Sequence, residues 1–569
     1  MARYRWILRA VDDTVAQRLA QELNLTVTTA RLLAMRGYTE PDDAYRFLYP
    51  SLHDLADPRL LPDIEPAVRR LSLAVERKEP VLVYGDYDAD GVTSTTLWVT
   101  TLRTLGVPVE PYVPHRMREG YDLHPNAIPK AQAIGARLVL TCDCGTRAHE
   151  AVCAFHEAGL EVVVTDHHEP SDTLPRALAV VNPKRADSQY PFRELSGVGV
   201  SFRVAEALLR ERNIPRNGFY SKMLDLVALG TIADVMPLVG ENRILVKFGL
   251  EQLHRTHRVG LQSLKQVAQM KRKPTPRDVG FALAPRLNAA GRLEDAQLAL
   301  QLLMEENSLE AQRIAALLDR HNRDRQQLQE AAVQEAIAQV ESEGQTAHRA
   351  LVVHSTNWHH GIVGLVAGKL MNRYHRPVIA VTIDQNEQVA RGSMRSIPAL
   401  NLTELIDLMK PFCFKCGGHA AAGGFAVPLE RLEELRQRIV EFADARLTNN
   451  DLIPTLAIDQ EVPAHAVTTR FLQEISLLEP FGSGNERPLF LCRGMEVIGS
   501  RVSQNGRHLF LKVRSEGSVV YDAVLWDGGD YPLEPHATLD LVFDPEEDIG
   551  SGYNTVRWVI RDFEEVELP

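Results

Sequence analysis

With 569 residues the chain is too long for one hydrophobic core, and at ~100–200 residues per domain it divides into three or four units. Hydrophobic content of 45% with 24% charged residues is ordinary for a soluble protein. No apolar run approaches the ~20 residues needed to cross a bilayer, and no apolar signal core follows the opening Met-Ala-Arg-Tyr-Arg-Trp, so a cytoplasmic location is expected. A net charge of −12 argues against a general polyanion binder, and six dispersed cysteines are no disulfide framework.

Residues 1–75 are predicted to form short helices and loops. Val11, Val15, Leu19 and Leu23 recur at helical spacing in the first of them. From Pro80 to about Asp234 short β-rich runs (Val81 to Tyr84, Val109 to Val113, Leu138 to Cys142, Val162 to Thr165, Leu178 to Val181) alternate with helical stretches, which predicts a mostly parallel α/β sheet. Ligands of such sheets sit beyond the carboxyl ends of the strands. There the first run ends in Gly85-Asp86-Tyr87-Asp88-Ala89-Asp90-Gly91, three alternate carboxylates that would share a face until the chain turns. Like charges so close call for a hard cation, although an Asp-rich turn uses the same residues.

The neighbouring runs end in Asp143 and in Asp166-His167-His168-Glu169, and the apolar stretch Leu226–Ala233 leads into Asp234. Singly, each has a bland reading as a helix cap or a hydrogen-bonded histidine. Four apolar segments delivering carboxylate and imidazole to one sheet edge point to a metal centre.

Beyond Asp234 come helices and the basic tract Lys271–Arg277, read as a solvated loop. Arg286 and Arg292 flank Asn288-Ala289-Ala290-Gly291, a small-residue turn that would let backbone and guanidinium approach a phosphodiester. From Asn307 to about Ser342 neither Gly nor Pro occurs, and Asn307 and Glu310 stand at capping-box spacing, which predicts one long helix. Its middle, His321–Gln327, is polar on all sides, as a strut crossing solvent would be.

A second lobe opens at Ala350–His354, has another strand near Val378–Thr382, carries Arg391-Gly392-Ser393-Met394-Arg395-Ser396, and closes on the glycines around His419. Cys413 and Cys416 are spaced C-x-x-C; a zinc site would need two more ligands, for which Cys142 and Cys144 are candidates. From Leu456 onward, about five short strands with turns suggest a small barrel. Its Phe510, Trp526 and Trp558 could stack bases or fill the core, and core is the expectation for most.

Gly-Asp-Tyr-Asp-Ala-Asp-Gly, Thr-Cys-Asp-Cys-Gly, Asp-His-His and Gly-Thr-Ile-Ala-Asp together resemble the DHH phosphoesterases. Ala284-Pro285-Arg286-Leu287-Asn288-Ala289-Ala290-Gly291-Arg292 and the later motifs resemble that family's bacterial single-strand-specific exonucleases. The resemblance implies a parallel-sheet DHH domain (76–300) after the helical extension, a long connecting helix (301–345), a smaller α/β DHHA1 substrate domain (346–450) and a C-terminal OB-fold (451–569). It implies two divalent cations, Mn²⁺ or Mg²⁺, one on Asp88 and Asp143, the other on Asp90, Asp143, His167 and Asp234. Asp143 would bridge them, with Asp86 near a metal and His168 facing the substrate phosphate. Arg116, Ser393 and Arg395 would hold a 5′-terminal phosphate, His419 the phosphate beside the metals, and Arg286 and Arg292 the strand.

The implied reaction is hydrolysis of single-stranded DNA from 5′ to 3′ into 5′-mononucleotides, in repair and recombination. Implied partners are a single-stranded-DNA-binding protein and a RecQ-type helicase, around a monomer. There are two departures from the family pattern. Tyr84 stands where many relatives carry a histidine ligand, so the first metal is expected to lean on Asp86 or water. Asp122 stands where a second glycine is common, a change expected to adjust a loop and not the chemistry. Two alternatives remain open: a superfamily enzyme for pyrophosphate, cyclic dinucleotides or very short RNA, and a scaffold that binds without cutting.

Overall fold

The computed structural model describes residues 4–116, 118–293, 295–515, 519–531, 533–534, 536–548 and 555–566. Two compact units divide it: residues 10–322 with 468–488, and residues 1–9 with 323–467 and 489–569.

The first unit is built on five parallel strands: β1 (Val81–Gly85), β2 (Val109–Tyr112), β3 (Leu138–Cys142), β4 (Glu161–Thr165) and β5 (Ala179–Val181). Their order is β2-β1-β3-β4-β5, with Tyr84 opposite Thr141 and Cys142 opposite Thr165. Strands β1 and β3 are buried along their whole length, as Val- and Leu-rich strands with both faces covered must be. In this order the chain reverses direction across the sheet beside β1, which opens a crevice at the strands' carboxyl ends.

Three helices supply the rest of that edge: α1 (Ala89–Thr104), α2 (Gly197–Glu211) and α3 (Arg216–Ala233). The stretch before Asp234, read from the sequence as one more apolar segment feeding the sheet edge, is the last two turns of α3. From Phe219 to Ile232 almost every residue of α3 is buried, so its composition is apolar all round and its period gives little away. Arg286 and Arg292 lie on α4 (Ala284–Leu293), not on a turn: alanines suit a helix, and Gly291 packs near the Tyr87 carbonyl.

Helix α5 (Ser308–Ser342) has 35 residues and spans on the order of 50 Å. Asn307 caps it, accepting from the amides of Leu309 and Glu310, while the Glu310 side chain pairs with Arg313 and completes no capping box. Within its polar middle His321 and Asn322 are buried and Arg323 and Asp324 exposed, so this stretch has two faces and is not a uniformly solvated strut.

The second unit contains a mixed sheet of β6 (Leu351–Ser355), β7 (Val378–Asp384), β8 (Val389–Arg395), β9 (Lys415–Gly418) and β10 (Ala422–Pro428), ordered β9-β10-β8-β7-β6. Only β6 and β7 run parallel. Its barrel is β11 (Phe490–Val502), β12 (Leu509–Arg514), β13 (Val520–Leu525), β14 (Thr538–Asp548) and β15 (Thr555–Glu565), closed by pairing of β11 with β14. Trp558 is fully buried and stacks on Phe543 at 4.0 Å, as core, whereas Trp526 is 37% exposed with the half-buried Phe510 beside it. Near the amino end, Arg5–Leu8 is not loop but a strand paired with Thr455–Ile458, whose apolar pairing partner lies far along the chain. The helix signalled by Val15, Leu19 and Leu23 is Asp13–Leu23, capped by Asp12.

Candidate metal centre

Asp86 and Asp88 follow β1, Asp143 follows β3, His167 follows β4, Asp90 lies in the first turn of α1, and Asp234 closes α3. Ligand-type atoms of Asp86, Asp88 and Asp143 lie within 4.8 Å of one another, as do those of Asp90, His167 and Asp234, and those of Asp143, His167 and His168. His167 Nε2 is 3.1 Å from Asp143 Oδ1, 3.6 Å from Asp234 and 4.0 Å from Asp90. Asp143 thus belongs both to the all-carboxylate group and to the one with His167 and His168, and His167 links the latter to Asp90 and Asp234.

Each group is aimed by its own local structure. Asp88 is the N-cap of α1, its Oδ1 accepting from the Asp90 and Gly91 amides at 2.9 and 3.0 Å. Asp90 sits against the amino end of α2, where the Gly197 and Val198 amides donate to its two oxygens at 2.7 and 2.9 Å. Gly197 is obligatory: a Cβ there would stand 2.4 Å from Asp143 Oδ1. Asp143 itself has φ +64°, a left-handed conformation rare for a non-glycine and typical of functional sites.

Burial without partners makes this cluster electrostatically incomplete. Desolvation, reinforced by neighbouring carboxylates, pushes Asp86, Asp143 and Asp234 well above the usual carboxylate range, and burial with the charge of Asp88 takes Asp90 to about 7. Burial and the charge of His168 take His167 down to about 3, so its ring is neutral at pH 7. Asp86 Oδ1, Asp143 Oδ1 and His167 Nε2 are buried, and none has a hydrogen-bond partner among the described residues. Lone pairs of oxygen and imidazole nitrogen converging at such distances suit a divalent cation, and the donor set fits one.

Asp166 is not arranged as a ligand. Its oxygens accept from the amides of Thr146, His167 and His168 and from His168 Nδ1 at 2.8 Å, which holds it below the usual range despite its burial. The same bond and charge outweigh the burial of His168 and raise it to about 9. Asn182, which sequence reasoning missed, fixes the His168 carbonyl and Thr146. Asn288, named only as part of a turn, accepts from the Ala89 amide. No sequence signal marked Gly197 or Val198, whose contribution is main-chain.

Of the other candidates, Arg116 lies over the Tyr87 ring at 5.0 Å and its charge reaches Asp86. Arg286 is engaged by Asp319 at 2.9 Å and by the Ala282 carbonyl, and Arg292 lies in the last turn of α4. In the second unit, Ser393 and Arg395 share a face of β8, Arg395 donating to Ser393 Oγ at 3.2 Å. Both lie against Gly364 at the start of the helix Val363–Tyr374. His419 is exposed in the turn between β9 and β10. Cys142 and Cys144 are buried on either side of Asp143, and no cysteine belongs to a candidate metal group among the described residues. The basic residues of the tract Lys271–Arg277 are exposed, with Arg272 and Lys273 paired to Asp278 and Glu251, but Pro274 is buried and Pro276–Asp278 is a helical turn.

The family models place the chain among the DHH proteins: the N-terminal domain of the DHH family matches residues 80–231, the DHHA1 domain 346–445 and the RecJ OB domain 458–562. The Bacillus subtilis single-stranded-DNA-specific exonuclease RecJ is 39% identical over 546 residues, covering 95% of this chain and 68% of its own length. The Salmonella typhimurium protein of the same name is 36% identical over 541 residues, 91% of each chain. The crystal structure of Thermus thermophilus RecJ in complex with Mn²⁺ superposes with a TM-score of 0.86 at 30% identity, over 100% of this chain and 80% of that one; its Mg²⁺ complex gives 0.80 at 28%. The chain belongs to the RecJ family.

Proposed function

We propose that the chain is a single-stranded-DNA-specific exonuclease that hydrolyses phosphodiester bonds from 5′ to 3′, releasing 5′-mononucleotides, with two divalent cations, in DNA repair and recombination. The observation that carries this reading is the convergence of Asp86, Asp88, Asp90, Asp143, His167 and Asp234 on one sheet edge in a RecJ-family chain.

In this reading Asp88 and Asp143, with Asp86 beside them, hold one cation, and Asp90, Asp143, His167 and Asp234 hold the other. Bound there, Mn²⁺ or Mg²⁺ supplies an activated water and neutralises charge on the phosphate and leaving oxygen. The protein's part is positioning. The α2 amides orient the Asp90 carboxylate and offset part of the cost of its burial, and Asp166 fixes the ring of His168, whose remaining N–H is then a cationic donor for a phosphate oxygen. Within the second unit, Ser393, Arg395 and the neighbouring helix amino end form an anion-receptive corner suited to a 5′-phosphate, and His419 is a separate candidate phosphate contact there; within the first unit, Arg116, Arg286 and Arg292 are the candidate contacts to the strand. Delivery of substrate by a single-stranded-DNA-binding protein and a RecQ-type helicase belongs to the same reading.

The test is product analysis on a 5′-labelled 30-mer with Mn²⁺. Labelled mononucleotide from the single strand and none from blunt duplex is the expected result. Equal release from duplex, or activity confined to cyclic dinucleotides and pyrophosphate, overturns it.

A further inference from the structure

We infer that Asp122 is a positioning residue for the metal centre: from a left-handed backbone, its carboxylate clamps the loop that presents Asp143. The inference rests on the reading that Asp143 holds metal.

The loop after β3 is pinned at three successive residues. Thr141 Oγ1 donates to the Cys144 carbonyl at 2.7 Å, the Gly145 amide donates to Asp122 Oδ1 at 2.8 Å, and the Thr146 amide donates to Asp166 at 2.9 Å. Thr141 belongs to the strand that feeds the loop, and Asp166 directly follows the strand beside it. Asp122 comes from a separate segment between β2 and β3. Its φ is +83°, a conformation that favours glycine, and its Oδ1 also accepts from its neighbour's amide at Leu123, 2.9 Å away.

Its main-chain carbonyl accepts from the hydroxyl of Tyr84 at 2.9 Å. Tyr84 is fully buried and stands two residues before Asp86, so one residue ties the end of β1 to the Asp143 loop. That loop needs the tie, because Asp143 is itself left-handed at φ +64° and Gly145 sits at +110°, where a Cβ would be 2.8 Å from Thr141 Oγ1. A glycine at 122 would fit the backbone better and keep the carbonyl that Tyr84 meets, but would have no side chain to hold the Gly145 amide. The strained aspartate is accounted for by what its carboxylate grips.

The experiment titrates Mn²⁺ into the full chain, read by the electron paramagnetic resonance of free Mn²⁺, with thermal unfolding of the metal-free protein alongside. Asp122→Gly should unfold at or above the wild-type temperature yet bind Mn²⁺ about 10- to 100-fold more weakly, the range found when groups supporting a ligand are lost. Asp122→Asn keeps an acceptor oxygen and tolerates the left-handed backbone, so its affinity should stay within about threefold of wild type. Tyr84→Phe should cost a few-fold, roughly the loss of one neutral hydrogen bond.

Wild-type affinity in Asp122→Gly overturns the inference, as does an Asn variant as weak as Gly. A drop in metal-free stability that parallels the affinity loss makes Asp122 merely structural and also overturns it. Asp143→Ala separates the two readings. Mn²⁺ binding unchanged by Asp143→Ala removes the proposed metal assignment itself, whereas loss there with none in Asp122→Gly removes only the role of Asp122.

Discussion

In the parallel-sheet unit the candidate ligands are mostly buried and held from several sides: Asp90 by two helix amides, Asp88 as a cap, and Asp143 in a strained loop pinned at three residues. In the second unit, Ser393 and Arg395 are half-buried on a strand face and His419 is exposed on a hairpin turn. In the proposed reading, the difference follows from what each would hold. A small, strongly hydrated cation rewards fixed lone pairs in a dry site, and the cost of crowding them is recovered only when it binds. A phosphate at the end of a flexible polymer needs accessible donors that can adjust.

The largest expected effect breaks the first region. Asp143→Ala should lower kcat by at least about 10³-fold, as loss of a central electrostatic group does, while leaving single-strand binding measurable by fluorescence anisotropy. Normal turnover by that variant would end the bridging assignment. Next, Gly197→Ala, whose Cβ would sit 2.4 Å from Asp143 Oδ1, should cost about 10- to 100-fold in Mn²⁺ affinity although it touches no substrate.

In the second region Arg395→Ala should instead raise KM for 5′-phosphorylated strands, by about tenfold, and erase their advantage over 5′-hydroxyl strands, with kcat within a few-fold. A kcat collapse in Arg395→Ala would dissolve the contrast between the regions.

The smallest effect is in pH. The folded value of Asp90 lies near 7, above its unfolded value, because burial and Asp88 oppose its charge. Its contribution to stability is therefore full below the unfolded value and is lost as pH rises through about 7. Metal-free protein should melt progressively lower between pH 5.5 and 8. The gain in Tm from Mn²⁺ should grow over the same interval, as the cation replaces the proton. A metal-free Tm that rises over this interval would contradict the burial argument.

Strand runs ending in Asp or Asp-His-His were legible because hydrophobic runs and their terminators are local. So were the long helix with its Asn307 cap and the barrel strands. Less legible was α3, whose all-round burial erases helical period, and so was the chain around Arg286, where small residues suited a turn as well as a helix. His321 and Asn322, buried within a polar stretch, belong to the same class.

Which residue types would be available for a cation, and in what order along the chain, the sequence by itself determined, since a strand's end dictates where its next side chains emerge. Tertiary structure alone decided that the α2 amides meet Asp90, that the Thr146 amide meets Asp166, and that Asp122 reaches Gly145. Those contacts join segments that are far apart in sequence. Several run through main-chain amides, which every residue carries and no motif can mark.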